Sequence, residues 1–210
     1  MKFLSKNQFL LPSLAFTMML LAGRIIHTHI LAFLFIPWNL LLATIPLYLS
    51  HHLLHAGSKI GQGICLALWL LFFPNSMYII TDLFHLHQRQ EIPQWYDLLI
   101  LSSAALNGLI MGFLSIAQVE EYLSIHISTN FKKRIVCTCF FLCGYGIYLG
   151  RYLRWNSWSL ITRPLPLLND IKQDIFHPIR HDQSWMVSVL FGIWLYLLYR
   201  YFKKLRVSSE

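Results

Sequence analysis

Asn75, Tyr78, Asp82 and His85 follow one another at steps of three, four and three residues. On a helix that spacing puts all four on one face. They close the stretch 69–86, WLLFFPNSMYIITDLFHL, which begins as an unbroken apolar run with Pro74 inside it. A carboxylate and an imidazole one turn apart can exchange protons or hold a polar ligand, and an amide and a phenol extend the hydrogen-bonding edge. The second group with chemical capacity is Arg151, Arg154 and Asn156 in the run Gly150–Trp158, GRYLRWNSW. A guanidinium is a planar fork that matches a carboxylate or a phosphate. If the helix continues, Arg151 and Arg154 point the same way. These seven residues form one candidate ligand-binding set, an outward-facing polar pocket for an anionic or amphiphilic small molecule. The same residues admit a plainer use, an Asp–Arg pair that pins two helices and binds nothing.

The elements that position them are membrane helices. The chain has 210 residues, 56% hydrophobic and only 12% charged, where a soluble domain carries about 25% charged residues. Apolar runs recur from end to end, so the expected fold is all-α: a polytopic transmembrane bundle of about six spans, one integral membrane domain over residues 1–210. The net charge of +8 belongs at loop boundaries, where Lys and Arg set topology and meet anionic headgroups. No nucleic-acid motif accompanies it.

The expected spans are 9–23, 30–49, 60–82, 97–117, 135–150 and 185–201. The first follows Lys2 and Lys6 and is read as an uncleaved helix with Arg24 behind it. The second is interrupted by Pro37 and Pro46, and Trp95 and Tyr96 mark an interface before the fourth. The fourth carries Asn107, read as an interhelical hydrogen-bonding residue, and Gly108/Gly112, a small-residue face for close helix contact. Residues 165–176 place Leu168, Ile171 and Ile175 on one side and Asn169, Asp170, Lys172, Gln173 and Asp174 away from them. This reads as a short interfacial amphipathic helix ending before Pro178.

Six spans put both termini on one side, with ten Lys and Arg there and seven opposite. The excess predicts cytoplasmic termini in the cell membrane. Loops three and five share the outer face, so Asp82, His85 and His87 can meet Arg151, Arg154 and Asn156.

Metal ligands are available on that face: His27, His29, His85, His87, His177 and His181, with Asp82 and Asp182. No ligand spacing of a recognised type joins them, so no metal or other cofactor is expected. Cys65, Cys137, Cys139 and Cys143 lie in apolar runs and read as small buried residues without disulfides. No Ser or Cys sits in a nucleophile elbow. Asn156–Ser157 reads as a cap or turn, and Asn75 as a donor to backbone groups freed by Pro74.

FFPNSMYIITDLFHL, the following IPQWYD, and GRYLRWNSW resemble the bacterial membrane-protein family called domain of unknown function 1361. The resemblance runs from about the second span to the sixth. It implies membrane placement and an acidic residue after the NSW motif, where this chain has Ser159. It implies no activity, cofactor or catalytic residue. Three function classes stand: a component that binds or translocates a ligand, a lipid- or envelope-modifying enzyme using Asp82 or His85 as acid/base with the arginines as a clamp, and a structural or assembly partner. Membrane lipids are the expected partners in each.

Overall fold

The computed structural model describes residues 9–53, 55, 57–86, 92–177 and 182–208. His87, Arg89, Arg180, His181 and the N-terminal Lys2 and Lys6 lie outside them. Among the described residues the chain is helical, with α1 (Leu10–Thr28), α2 (Phe35–Leu53), α3 (Lys59–Tyr78), a 3-10 helix (Ile79–His85), α4 (Gln94–His126), α5 (Thr129–Arg151), α6 (Ser159–Thr162), α7 (Pro164–Phe176) and α8 (Asp182–Ser208).

Local chemistry sets several of these boundaries. Ser58 caps α3, its hydroxyl accepting from the Gly61 amide, which satisfies one donor the first turn would leave open. Pro164 opens α7, where a fixed φ and a missing N–H cost nothing. Pro46 and Pro74 lie inside α2 and α3, and neither ends its helix.

Among the described residues, four helical segments are long and apolar enough to cross a membrane: Leu10–Thr28, Lys59–His85, Gln94–His126 and Asp182–Arg206. The sequence predicts six. α2 and α5 fall outside this set: α2 ends in His51 and His52, and α5 carries Lys132, Lys133 and Arg134 near its start and Arg151 at its end. Polar ends shorten the apolar stretch that each can offer.

α4 is the central helix. Its residues enter both hydrophobic clusters, one with Trp69, Phe73, Phe140, Ile147 and Leu195, the other with Leu21, Ile36, Leu40 and Ala43. At 33 residues it spans about 50 Å. Gly108 and Gly112 let it approach the end of α3: a Cβ at Gly108 would sit 2.6 Å from the Ser76 carbonyl oxygen, and one at Gly112 would sit 2.5 Å from Met77 Cε. The small-residue face read from the sequence is thus the seat of the segment that carries the polar stripe. Asn107 is fully buried and donates to Thr17 Oγ1 and the Ser13 carbonyl of α1. The outer surface keeps Phe16, Met19, Leu41, Ile64, Leu190 and Ile193 exposed, as a lipid-facing wall requires.

Side-chain pairs identify which helix ends lie together. Tyr122 near the end of α4 donates to Gln62 near the start of α3, and Ser50 near the end of α2 donates to Gln118. Lys203 of α8 reaches Glu120 of α4 at 2.8 Å. At the opposite end Arg24 of α1 meets Asp97 in the first turn of α4.

Candidate functional site

The polar stripe survives a change of helix type. Asn75 and Tyr78 belong to α3, whereas Asp82 and His85 belong to the 3-10 helix. Three residues make one turn there, so Asp82 and His85 are eclipsed. All four line a pocket of about 650 Å³. Its walls are α2, α3, the 3-10 helix, α5, the Trp155–Ser157 loop, α6 through Leu160, and α7 through Leu167 and Ile171.

Asp82 is 2% exposed. Asn39 of α2 donates to its Oδ2 at 2.9 Å. An amide donor stabilises the carboxylate without neutralising it. Arg151 Nη1 donates to His85 Nε2 at 3.1 Å. Guanidinium nitrogens only donate, so in this geometry His85 Nε2 is the acceptor. Arg151 also lies 5.1 Å from the Phe84 ring centroid, and His85 packs against Phe35.

The loop after α5 closes one side. Asn75 donates to Ser157 Oγ at 2.9 Å, and Ser157 donates in turn to the Leu71 carbonyl at 3.0 Å. That carbonyl is one turn before Pro74. The proline removes a donor from this part of α3, and the loop hydroxyl supplies one nearby. Trp155 Nε1 donates to Asp170, and Tyr145 OH to Asp174. These two bonds hold α7 against the bundle.

The seven candidate residues therefore separate. Asn75, Tyr78, Asp82, His85 and Asn156 line the pocket. Arg151 is half-buried beside it, bound to a lining residue. Arg154 is exposed and outside the lining. A shared helical face for the two arginines requires a helix through both. α5 ends at Arg151, and Arg154 adopts a left-handed backbone, φ 58°. The chain turns there, and the Trp155 amide returns to the Leu149 carbonyl at 2.9 Å. Left-handed φ costs a non-glycine residue roughly 1 kcal/mol. Arg154→Gly is therefore expected to leave stability unchanged or raise it by about 0.5–1 kcal/mol. Thermal unfolding in detergent checks this, and a clear loss would mean that the guanidinium itself holds the structure.

α7 also differs from its expected orientation. Leu168 and Ile175 are exposed, but Ile171 lines the pocket and Asp174 is 2% exposed. The aromatic donors of α5 and the loop give these carboxylates partners, so part of the polar side turns inward. Cys139 and Cys143 are buried, whereas Cys65 is half-buried and Cys137 is exposed, so the expectation of burial holds for two of the four; all four are free thiols. Among the described residues no three His, Cys, Asp or Glu side chains converge to hold a metal.

Three contributors lie outside the candidate set read from the sequence: Asn39, Tyr145 and Ser157. Asn39 had a signal, since it is the one carboxamide in the apolar stretch 30–49, and an isolated amide in a membrane helix marks a partner elsewhere. Tyr145 has none, because aromatic groups are common at interfaces, and Ser157, inside the NSW motif, reads from the sequence only as a cap or turn.

A family model described as "Protein of unknown function (DUF1361)" matches residues 38–198. The matched span contains the pocket lining except Phe35. Comparison with curated proteins and comparison with solved structures each returned no match.

Proposed function

The chain belongs to the family described as Protein of unknown function (DUF1361), and from its own residues we propose that it is a multi-pass protein of the cell membrane that binds or translocates a small anionic or amphiphilic molecule in the pocket around Asp82. The observation that carries this reading is a carboxylate 2% exposed at the wall of a cavity of about 650 Å³, with amides beside it and hydrocarbon around it. Ligand pockets combine apolar walls with a few placed polar groups. Leu70, Leu142, Leu149 and Leu160 suit an alkyl or isoprenoid portion. Asn39, Asn75, Asp82 and His85 suit a polar head, and Arg151 supplies the cation for an acidic one. Burying an acid in a membrane helix is costly, and a ligand's hydrogen bonds help to offset that cost.

In this reading six helical passages form one integral domain, α2 and α5 crossing among their neighbours rather than against lipid alone. Both termini are cytoplasmic and the pocket lies toward the outside. In intact cells lacking the native cysteines, an impermeant thiol reagent is expected to label Arg89→Cys and spare Ser208→Cys. The reverse pattern would invert the orientation, and labelling of both would change the span count.

Native mass spectrometry of protein from mild detergent tests the ligand. A copurifying amphiphile is expected on the wild type and is held more weakly by Arg151→Gln, which removes the cation for an acidic head, and by Asn75→Leu, with folding retained. Loss of one charge-assisted hydrogen bond corresponds to roughly a tenfold weakening. Undiminished retention by both variants, or an empty wild type that takes up no amphiphile saturably, would sink the proposal. The spacing of Asp82 and His85, one turn apart in the same lining, favours a second reading, acid/base catalysis on the bound molecule. Turnover of the copurified species, abolished in His85→Gln, separates that from binding alone.

A further inference from the structure

The far end of the bundle holds a second, differently built cavity. It has a volume of about 770 Å³ and is lined by Glu120, Lys133, Arg200, Lys203 and Lys204, with Val136 and three tyrosines. The lining carries four cations and one acid. That acid is already engaged: Tyr199 OH donates to Glu120 Oε2 at 2.6 Å, Lys203 donates to Oε1 at 2.8 Å, and Lys132 lies 3.9 Å from the same oxygen. Lys133, Arg200 and Lys204 are exposed, and Arg200 donates to Tyr196 OH at 3.1 Å. Three positive charges beyond those on Glu120 therefore face one crevice, whose floor is Val136 and tyrosine rings.

Topology alone asks only that Lys and Arg lie on one side of the membrane. It does not ask that residues more than sixty positions apart converge on a cavity anchored by an acid that is 13% exposed. The convergence requires the packing of α5 against α8. Tyrosines beside Lys and Arg at helix ends are the chemistry of the headgroup layer, and a basic pocket between membrane helices matches a lipid phosphate. The start of α5 adds the positive end of a helix dipole.

We propose that this crevice binds the phosphodiester headgroup of an anionic membrane lipid, one per chain. Arg200 and Lys133 hold the phosphate, Lys204 adds charge at the mouth, and Val136 and Tyr196 receive the first carbons of the acyl chains. Glu120 is a positioning residue, fixing Lys203 and Tyr199 so that α8 keeps the crevice open.

The test is native mass spectrometry of the full chain in neutral detergent, titrated with phosphatidylglycerol and, separately, phosphatidylcholine. One saturating phosphatidylglycerol is expected, which phosphatidylcholine does not replace. Lys133→Gln with Arg200→Gln should weaken it at least roughly tenfold. Lys59→Gln removes an exposed cation at the same end of the bundle but outside the crevice, and should change it by less than about twofold. Equal losses from Lys59→Gln would show diffuse surface charge and overturn the site. Displacement by inorganic phosphate would assign the crevice to a soluble anion and overturn the lipid reading. Should the double variant fail to fold, Lys133→Gln and Lys204→Gln, both at exposed positions, carry the test singly, each expected to weaken binding several-fold. Unchanged binding in both would overturn the proposal.

Discussion

Asp97→Ala is expected to destabilise the protein by about 3–5 kcal/mol. Arg24 Nε donates to Asp97 Oδ1 at 2.7 Å and Nη2 to Oδ2 at 3.3 Å, with side chains 0% and 2% exposed. The guanidinium also stacks 4.3 Å from the Phe33 ring centroid. A second bond secures the same corner: Tyr96 OH donates to the Leu20 carbonyl at 2.9 Å. Removing one partner leaves a charge buried among groups chosen for a pair, and that uncompensated desolvation dominates the loss. Arg24→Ala should cost a similar amount. The double replacement Arg24→Met with Asp97→Leu should cost far less than the sum, because no charge remains to be solvated. A double-mutant cycle by chemical unfolding in detergent decides it. Additive single losses would mean that the two side chains do not act as a pair.

Gly144→Ala is expected to lower stability by about 1–3 kcal/mol, whereas Gly63→Ala should be neutral or raise it by about 0.5–1 kcal/mol. Both glycines lie inside helices, so propensity favours alanine at each. The difference is what the added methyl meets. At Gly63 nothing lies within 4 Å. At Gly144 the methyl would overlap the Ser188 carbonyl oxygen of α8 and sit 3.0 Å from the Gly192 amide nitrogen. Backbone cannot swing aside as a side chain can, so α5 and α8 must separate. That separation would also strain the contacts of Phe140 with Tyr196 and Tyr199. Thermal midpoints of the two variants, measured together, give the sign directly. A rise in both would show that α5 and α8 are not in backbone contact at this point.

Much of this architecture was legible in the residues themselves. Apolar runs long enough to span hydrocarbon report their helices by length and composition alone. The steps of three and four from Asn75 to His85 survived the change to a 3-10 helix because both helix types keep residues three or four apart near one face. The Gly108/Gly112 pair was likewise readable, since only a close approach rewards two small residues at that spacing.

What the sequence by itself determined is local: helical apolar segments, the polar face of one of them, and the family to which these motifs belong. What only the tertiary structure decided is partnership. Arg24 and Asp97 are 73 positions apart, and each alone looks like a boundary charge. Spacing alone pairs Asp82 with an arginine, yet its hydrogen-bonded partner is the Asn39 amide, because the chain turns left-handed at Arg154 and Arg151 donates to His85. Side-chain spacing along a helix is a property of the chain, fixed at 1.5 Å and about 100° per residue. Which side chain lies across the gap depends on how helices pack and where each one stops, and that follows from the fit of whole surfaces.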